Sequence, residues 1–272
     1  MAFADKPLVL FRGAGDLATG SIARLHNAGY RVIALEVEKP LVIRRTVALA
    51  DAVFDGEKEV EGVKAVLFSS ALAALDAANE GIVPVLIDPE CSSLEVLKPD
   101  VVVDATLAKR NIGTNKAMAS LTIALGPGYE AGVDVDVVVE TKRGHDLGRL
   151  IRSGFAEENT GIPGLVMGYG KERVIHSPAE GIFQSELEIG DIVKKGDAIG
   201  YVDGKPVVTA LSGKLRGLIR PGMYVSKGLK IADVDPRGGS VDHMSISDKA
   251  RAVAGGVLEA VDNHFAFCDN QL

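Results

Sequence analysis

The stretch Leu8-Val-Leu-Phe-Arg-Gly-Ala-Gly-Asp-Leu-Ala18 decides the fold of the first half of the chain. Its first four residues form a continuous apolar run, which is typical of a β-strand covered on both faces. Gly13 and Gly15 then break the strand, and a helical pattern of apolar residues runs to Gly29. Arg31–Glu36 predicts a second strand. Together they predict a βαβ unit with a right-handed crossover.

Beyond this unit, short apolar runs alternate with helical sequence over roughly 140 residues. The predicted strands lie around Ala52–Phe54, Val63–Phe68, Ile82–Ile87, Val101–Val103, Leu121–Leu125 and Val135–Val139, and a helix is predicted over Ala71–Asn79. Such alternation predicts α/β architecture. We therefore expect a Rossmann-like domain with a parallel sheet over residues 1–172.

From Arg173 the sequence changes to short strands and glycine turns that repeat at a spacing of 32 residues. Gly181 matches Gly213, Gly190 matches Gly222, Gly196 matches Gly228, and Val202-Asp203 matches Val234-Asp235. Neither half is long enough to bury an apolar face alone, so the two halves should interlock. The pattern resembles the barrel-sandwich hybrid of biotinyl and lipoyl domains, and we expect a duplicated domain of this kind over residues 173–237.

The last segment, residues 238–272, predicts a helix from about Ser247 with one apolar stripe. Gly255 and Gly256 interrupt the stripe, and each glycine inside a helix costs roughly 1 kcal/mol relative to alanine. We therefore expect the helix to pack closely against another backbone, back on the α/β domain.

Composition narrows the functional class. The formal net charge is −7, which argues against binding to nucleic acid or to an anionic membrane. The two cysteines, Cys91 and Cys268, are far apart and show no metal-ligand spacing, so we predict no metal site and a reducing compartment. The N-terminal residues do not resemble a signal peptide. We expect a cytoplasmic protein, with a homo-oligomer left open.

The glycine-rich turn is the first candidate binding site. Gly13, Gly15 and Gly20 would shape a turn that brings the backbone close to a phosphate at the helix N-terminus. Glu36 ends the second strand, where an acidic residue bonds a ribose hydroxyl. Asp16 lies where a pyrophosphate would rest and would repel it, unless Asp16 points away or a metal bridges the two charges. The alternative for Asp16 is a plain N-cap, which the helix dipole favours. The alternative is a purely structural turn.

Asp104 ends another predicted strand, and Lys109 and Arg110 follow it. In open α/β sheets ligands bind outside the carboxyl ends of the strands, and two adjacent cations would hold an anion there. The alternative is a solvated loop. Asp88 and Cys91 follow a neighbouring strand, and Cys91 is either a reactive thiol in the same crevice or a small buried apolar residue.

A third candidate follows the strand that ends near Val139. His145 is a candidate general acid or base, and Lys142, Arg143 and Arg149 are candidate anion ligands. Histidine beside aspartate is also common on protein surfaces, which is the alternative explanation.

Several motifs together resemble one family: Arg12–Gly20, Arg44–Val47, Asp104–Asn111, Leu125–Gly128, Glu140–Arg149, Asp235–Gly238 and Ser247–Ala250 with Gly255–Glu259. This combination resembles the YqeB family of the selenium-dependent molybdenum hydroxylase system. The first domain is also distantly similar to XdhC-type factors. The resemblance implies an accessory role in molybdenum cofactor delivery or modification for a partner hydroxylase.

The leading hypothesis is therefore a cytoplasmic maturation factor for a molybdenum hydroxylase client. Its ligand would bear a nucleotide, and the molybdopterin dinucleotide is the candidate. One rival is an NAD(P)-dependent oxidoreductase with His145 as acid and base. Another is a non-catalytic binding scaffold.

Overall fold

The computed structural model describes residues 3–158 and 163–269, with side chains given to residue 266. The chain divides into two compact units. Unit 1 contains residues 1–40, 48–159 and 246–272, and unit 2 contains residues 41–47 and 160–245.

Unit 1 is built on a sheet whose strands are β1 Leu8–Arg12, β2 Arg31–Glu36, β3 Glu57–Val60, β4 Val63–Phe68, β5 Val83–Ile87, β6 Val101–Asp104, β7 Leu121–Leu125, β9 Val137–Val139 and β10 Leu150–Ile151. These nine strands lie in the order β10-β9-β7-β6-β1-β2-β5-β4-β3. A separate pair, β8 Glu130–Ala131 and β11 Gly154–Phe155, is antiparallel. The central strands β1, β6 and β7 are buried along their whole length, as their continuous apolar runs require.

The predicted fold class, a Rossmann-like parallel sheet followed by a barrel-sandwich hybrid and a C-terminal helix, is wrong for this sheet, which is mixed. β3 pairs antiparallel with β4 at one edge, and β10 pairs antiparallel with β9 at the other. At the first edge the cause is a two-residue turn at Glu61-Gly62, whose φ values are +49° and +80°. Two positive φ angles favour a tight hairpin, which returns the chain beside itself.

The helices of unit 1 are α1 Asp16–Asn27, α2 Ala52–Asp55, α3 Ala71–Asn79, α4 Leu94–Leu97 and α5 Asp248–Asp269. α1 and α5 pack so closely that a Cβ on Gly20 would lie 2.8 Å from the Cβ of Ala250. Similarly, a Cβ on Gly256 would lie 2.1 Å from the carbonyl oxygen of Gly148, whereas one on Gly255 would meet nothing within 4 Å. One of the two helical glycines therefore allows a close backbone approach.

The strands of unit 2 are β12 Val174–His176, β13 Gly181–Gln184, β14 Ile192–Val193, β15 Ala198–Val202, β16 Lys205–Val208, β17 Gly213–Leu218, β18 Tyr224–Val225 and β19 Lys230–Asp235. They form two four-stranded sheets in the orders β12-β19-β17-β14 and β16-β15-β13-β18. A shift of 32 residues carries β12 to β16, β13 to β17, β14 to β18 and β15 to β19. The sequence repeat therefore relates one sheet to the other.

Residues 41–47 join unit 2 although they are distant in sequence. The amide of Leu218 donates to the carbonyl of Ile43 over 2.7 Å, and the hydroxyl of Thr46 donates to the carbonyl of His243 over 2.6 Å. None of the helices described within residues 3–158 and 163–269 has both the length and the apolar character that spanning a bilayer requires.

Candidate functional site

The carboxyl edge of the nine-stranded sheet gathers the predicted site residues. β1 lies between β2 and β6 and is parallel to both. Because the chain proceeds from β1 to one side and later returns to the other, the order of the strands reverses at β1. Open α/β sheets bind ligands in the crevice outside such a reversal.

The Gly13–Asp16 turn after β1 is held on several sides. The amide of Gly13 donates to the carbonyl of Leu35 over 2.7 Å, and the amide of Ala14 donates to the carboxylate of Glu36 over 2.8 Å. The carbonyl of Ala14 accepts from the amide of Ala50 over 2.9 Å. Gly13 has a φ of +93°, and a Cβ there would lie 3.3 Å from the carbonyl oxygen of Ala105. The turn is therefore rigid and tightly packed.

Gly15 differs from this packed surrounding. Its φ is −63°, and a Cβ built on it would meet nothing within 4 Å. Gly15 is the N-cap of α1, whose first amides have no acceptor within the helix. The partial positive charge of the helix N-terminus therefore lies beside open space.

A buried polar network lies at the ends of β1 and β6. Asp104 is fully buried and accepts from Arg12 over 3.3 Å and from the hydroxyl of Tyr129 over 2.7 Å. It also accepts from the hydroxyls of Thr106 and Thr114. Burial, together with the charge of Asp104, raises the pKa of Tyr129 to about 12, so the phenol stays protonated and donates. The network fixes the strand ends rather than offering Asp104 to a ligand.

Cys91 lies next to this network, on the loop that follows β5. Arg12 also donates to the carbonyl of Pro89 over 3.4 Å, which holds the loop over the strand ends. Burial raises the pKa of the Cys91 thiol, although the nearby Arg12 opposes this. The group is therefore a protonated thiol at neutral pH, which does not favour a nucleophilic role.

Glu36 and Asp88 are both engaged by backbone amides. Glu36 accepts from Ala14 and from Val37, so it braces the glycine-rich turn, and burial raises its pKa despite these bonds. Asp88 accepts from the amides of Ser92 and Ser93 over 2.9 and 2.8 Å. Burial alone would raise the pKa of Asp88, but these hydrogen bonds outweigh it and the pKa is lowered.

The remaining predicted residues are placed as follows. Lys109 and Arg110 are exposed, and neither side chain makes an ion pair within the part of the chain that the structure describes. Three predicted cations are each paired with a carboxylate: Lys142 with Glu157, Arg143 with Asp248 and Arg149 with Asp146. His145 is exposed between β9 and β10, Asp16 opens α1, and Gly20 packs against Ala250.

Three of the buried polar side chains here were not predicted as site residues from the sequence. Tyr129 and Thr114 hold Asp104, and Glu140 accepts from the amides of Lys142 and Glu157 over 2.7 and 2.8 Å. The Gly126-Pro-Gly128 turn before Tyr129 was the available signal, because a Cβ on Gly128 would lie 2.1 Å from the carbonyl oxygen of Ala108. Among residues 3–158 and 163–269, no group of three or more His, Cys, Asp or Glu is placed to hold a metal ion.

Comparison with known proteins gives one sequence relative. The chain is 55% identical over 254 residues to the uncharacterized protein YqeB of Escherichia coli strain K12. The chain is therefore similar to YqeB in sequence. The match covers 93% of the chain but 47% of YqeB, so the chain spans about half the length of this relative. The resemblance to the YqeB family is thus supported, and no family model matches the chain.

Solved structures give a remote likeness. The ectoine utilization protein EutE (DoeB) of Ruegeria pomeroyi is 13% identical, and 84% of this chain matches 85% of that chain with a TM-score of 0.26. The succinylglutamate desuccinylase/aspartoacylase of Rhodobacter sphaeroides is 12% identical, with the same coverage and a TM-score of 0.26. Likeness at this level assigns neither the fold nor the reaction of those proteins to this chain.

The comparisons do not bear out the predicted role. Two of the solved structures that resemble the chain are described as aspartoacylases, and the sequence relative YqeB is uncharacterized. The predicted maturation role, its molybdopterin-type ligand and the link to XdhC are therefore not retained. We also drop the fold names Rossmann-like and barrel-sandwich hybrid. The rival oxidoreductase and scaffold hypotheses are not retained either.

Proposed function

We propose that the chain binds an anionic small molecule, one with a phosphate or carboxylate group, at the carboxyl edge where β1 lies between β2 and β6. The observation that carries this proposal is the contrast within one turn. Gly13 and Ala14 are packed and hydrogen-bonded, whereas Gly15 has open space where a side chain would lie. A rigid turn with an open helix N-terminus suits an anion.

The charges around the turn decide which of the predicted residues we assign to the ligand. Gly13 and Gly15 form the cradle, and the exposed Lys109 and Arg110 follow Ala105, which touches Gly13. Lys142, Arg143 and Arg149 already neutralise carboxylates and are not assigned to the ligand. The role of His145 stays a prediction from the sequence.

Asp16 carries a negative charge into the first turn of α1, where the helix dipole favours it. An anionic ligand would have to share this region with the carboxylate. Asp16→Asn should therefore tighten binding of phosphate, and the gain should shrink as salt screens the charge.

The test is thermal stability measured with inorganic phosphate, pyrophosphate and malonate, since a ligand that binds the native state raises the melting temperature. Gly15→Ala should fold normally, because its φ suits alanine and its Cβ meets nothing, but it should abolish the shift. Gly255→Ala is the matched control, because its Cβ also meets nothing. It should keep the ligand-induced shift.

If none of the three anions shifts the melting temperature of the wild type, or if Gly15→Ala responds as the wild type does, the proposal is wrong.

A cytoplasmic location belongs to the same proposal, and the free thiol of Cys91 supports it because such thiols persist in reducing compartments.

A further inference from the structure

A second concave surface lies at the same edge of the sheet, beyond the end of β5. This cleft has a volume of about 680 Å³, which falls in the range of small-molecule sites. It is lined by Leu67, Phe68, Ser69, Ala71, Leu86, Ile87, Asp88, Ser92 and Ser93. We call it the Asp88 cleft. Of the residues that the sequence placed at the carboxyl edge of the sheet, Asp88 lines this cleft.

The walls of the Asp88 cleft are mostly apolar. Phe68 and Leu67 end β4, Ala71 begins α3, and Ile87 ends β5 with 45% of its surface exposed. An aliphatic side chain left uncovered inside a concave surface is apolar area that a ligand can remove from water. Serine hydroxyls at the rim add a few polar contacts, as is usual for pockets that orient a ligand.

The single charged group of the lining, Asp88, excludes anions from the cleft. Its carboxylate accepts from the amides of Ser92 and Ser93 and from the hydroxyl of Ser93 over 2.7 Å. These bonds stabilise the ionised form and occupy most of its acceptor positions. The group therefore repels a second negative charge without offering a strong site to a cation.

We propose that the Asp88 cleft binds an uncharged, ring-sized apolar group of the same molecule whose anionic group lies over Gly15. This inference rests on the proposed function, since it assigns the second half of that ligand. The Gly15 surface attracts an anion and the Asp88 cleft excludes one, so a molecule with separate charged and apolar ends fits in one orientation.

The geometry of the sheet sets the length of such a molecule. β1, β2 and β5 are neighbours in this order. Neighbouring strands are 4.7–4.9 Å apart, so the ends of β1 and β5 are separated by about 10 Å. Ile87 lies opposite Glu36 in the β2–β5 register, so the molecule would pass the end of β2.

The chain contains no tryptophan, so Phe68→Trp would place one fluorescent reporter in the cleft. Titration of this protein with ω-phenylalkyl phosphates of increasing chain length, and with inorganic phosphate, measures both ends of the site. A matched chain length should bind about ten- to one-hundredfold more tightly than inorganic phosphate, which is the effect expected for burying one ring.

A second substitution, Ser69→Phe, fills the cleft from its exposed rim. It should abolish the gain in affinity from the phenyl group and leave the affinity for inorganic phosphate unchanged. The control Ser153→Phe, at an exposed position outside the cleft, should change neither of these two affinities. Circular dichroism and the melting temperature confirm that each variant folds. Gly15→Ala should instead weaken the binding of both inorganic phosphate and the phenylalkyl phosphates.

The outcomes separate the two proposals. If inorganic phosphate binds but no phenyl group improves its affinity, the cleft proposal is wrong and the anion site stands. A gain that survives Ser69→Phe likewise overturns the cleft proposal. If 4-phenylbutanol binds the cleft while phosphate binds nowhere, the anion site is wrong and the single-ligand proposal falls with it.

Discussion

The two sheets of unit 2 arise from one repeat but present different outer faces. We call β12-β19-β17-β14 the charged sheet and β16-β15-β13-β18 the open sheet. At equivalent positions, Arg216 and Asp233 of the charged sheet replace Gln184 and Tyr201 of the open sheet. Asp233 is buried, whereas Tyr201 is 50% exposed. The repeat therefore fixes the backbone of both sheets but not their surroundings.

The difference comes from the segments that flank the repeat. Arg173 contacts Asp233 over 3.3 Å and Asp235 over 3.8 Å, and it also donates to the carbonyl of Gly164. Lys214 donates to the carbonyl of Val241 over 2.6 Å. Residues before and after the repeat thus cover the charged sheet. A duplicated fold can therefore acquire a buried ionic layer on one copy alone.

The strongest test breaks the ionic layer at one repeat position. Asp235 is fully buried and holds Arg237 over 2.8 Å, whereas its equivalent Asp203 is exposed. Asp235→Asn should lower the free energy of unfolding by about 3 kcal/mol, because Arg173 and Arg216 then share the single carboxylate of Asp233. Asp203→Asn should change it by less than about 0.5 kcal/mol. Urea unfolding of both variants measures the contrast.

If Asp235→Asn and Asp203→Asn lower the free energy of unfolding equally, the burial of Asp235 gives the charged sheet no extra stability.

The next test uses the residue that occupies one strand position in each copy. Gly200 of the open sheet is equivalent to Ala232 of the charged sheet. A Cβ on Gly200 would lie 2.5 Å from the carbonyl oxygen of Gln184 and 2.6 Å from the ring of Phe183. Gly200→Ala should therefore cost about 1–3 kcal/mol. Ala232→Gly should cost about 1 kcal/mol.

Denaturant midpoints of the two variants, each against the wild type, give these values. A stabilised Gly200→Ala variant would contradict the close packing of β15 against β13.

A pH titration sharpens the comparison further. Burial acts to raise the pKa of Asp235, but the hydrogen bonds and charge of Arg237 lower it below the ordinary value of 3.8. Because the folded pKa is the lower one, Asp235 contributes stability above pH 3.8 that is lost as the pH falls through the folded value. Wild-type stability should therefore fall more steeply than that of Asp235→Asn below this pH.

The measurement is the melting temperature between neutral and acidic pH. If the melting temperatures of the wild type and Asp235→Asn fall in parallel as the pH is lowered, titration of Asp235 does not contribute to the loss of stability in acid.

The smallest effect is expected on the open sheet. Tyr201→Thr keeps a residue type that favours strands and leaves the buried side of β15 unchanged. Its free energy of unfolding should stay within about 0.5 kcal/mol of the wild type. A loss of several kcal/mol in calorimetry would mean that the outer face of the open sheet is covered after all.

Local patterns predicted local structure well. α3 spans Ala71–Asn79 as its helical pattern predicted, and the glycine spacing predicted the related sheets of unit 2. Ala52–Phe54 was predicted as a strand but lies in the helix α2, because three apolar residues fit either structure. The antiparallel edges depend on which strands meet, which periodicity does not encode.

The candidate site shows the same limit. Gly13, Gly15 and Glu36 were predicted together at the carboxyl edge from the βαβ pattern, and the structure places them there. The partners of Asp104 could not be predicted, because Arg12 and Tyr129 reach it from β1 and from the turn after β7. Likewise, Asp248, which neutralises Arg143, follows it only 105 residues later in the sequence.

The close packing of Gly20 against Ala250 has a consequence for synthesis on the ribosome. The surface of α1 that faces α5 stays uncovered until a segment more than two hundred residues later has emerged. Contacts this distant in sequence form slowly, because a long loop must close first. All the paired strands of unit 2 lie between Val174 and Asp235, so shorter loops close them, and we expect these sheets to form before α5 covers α1, although unit 1 begins first.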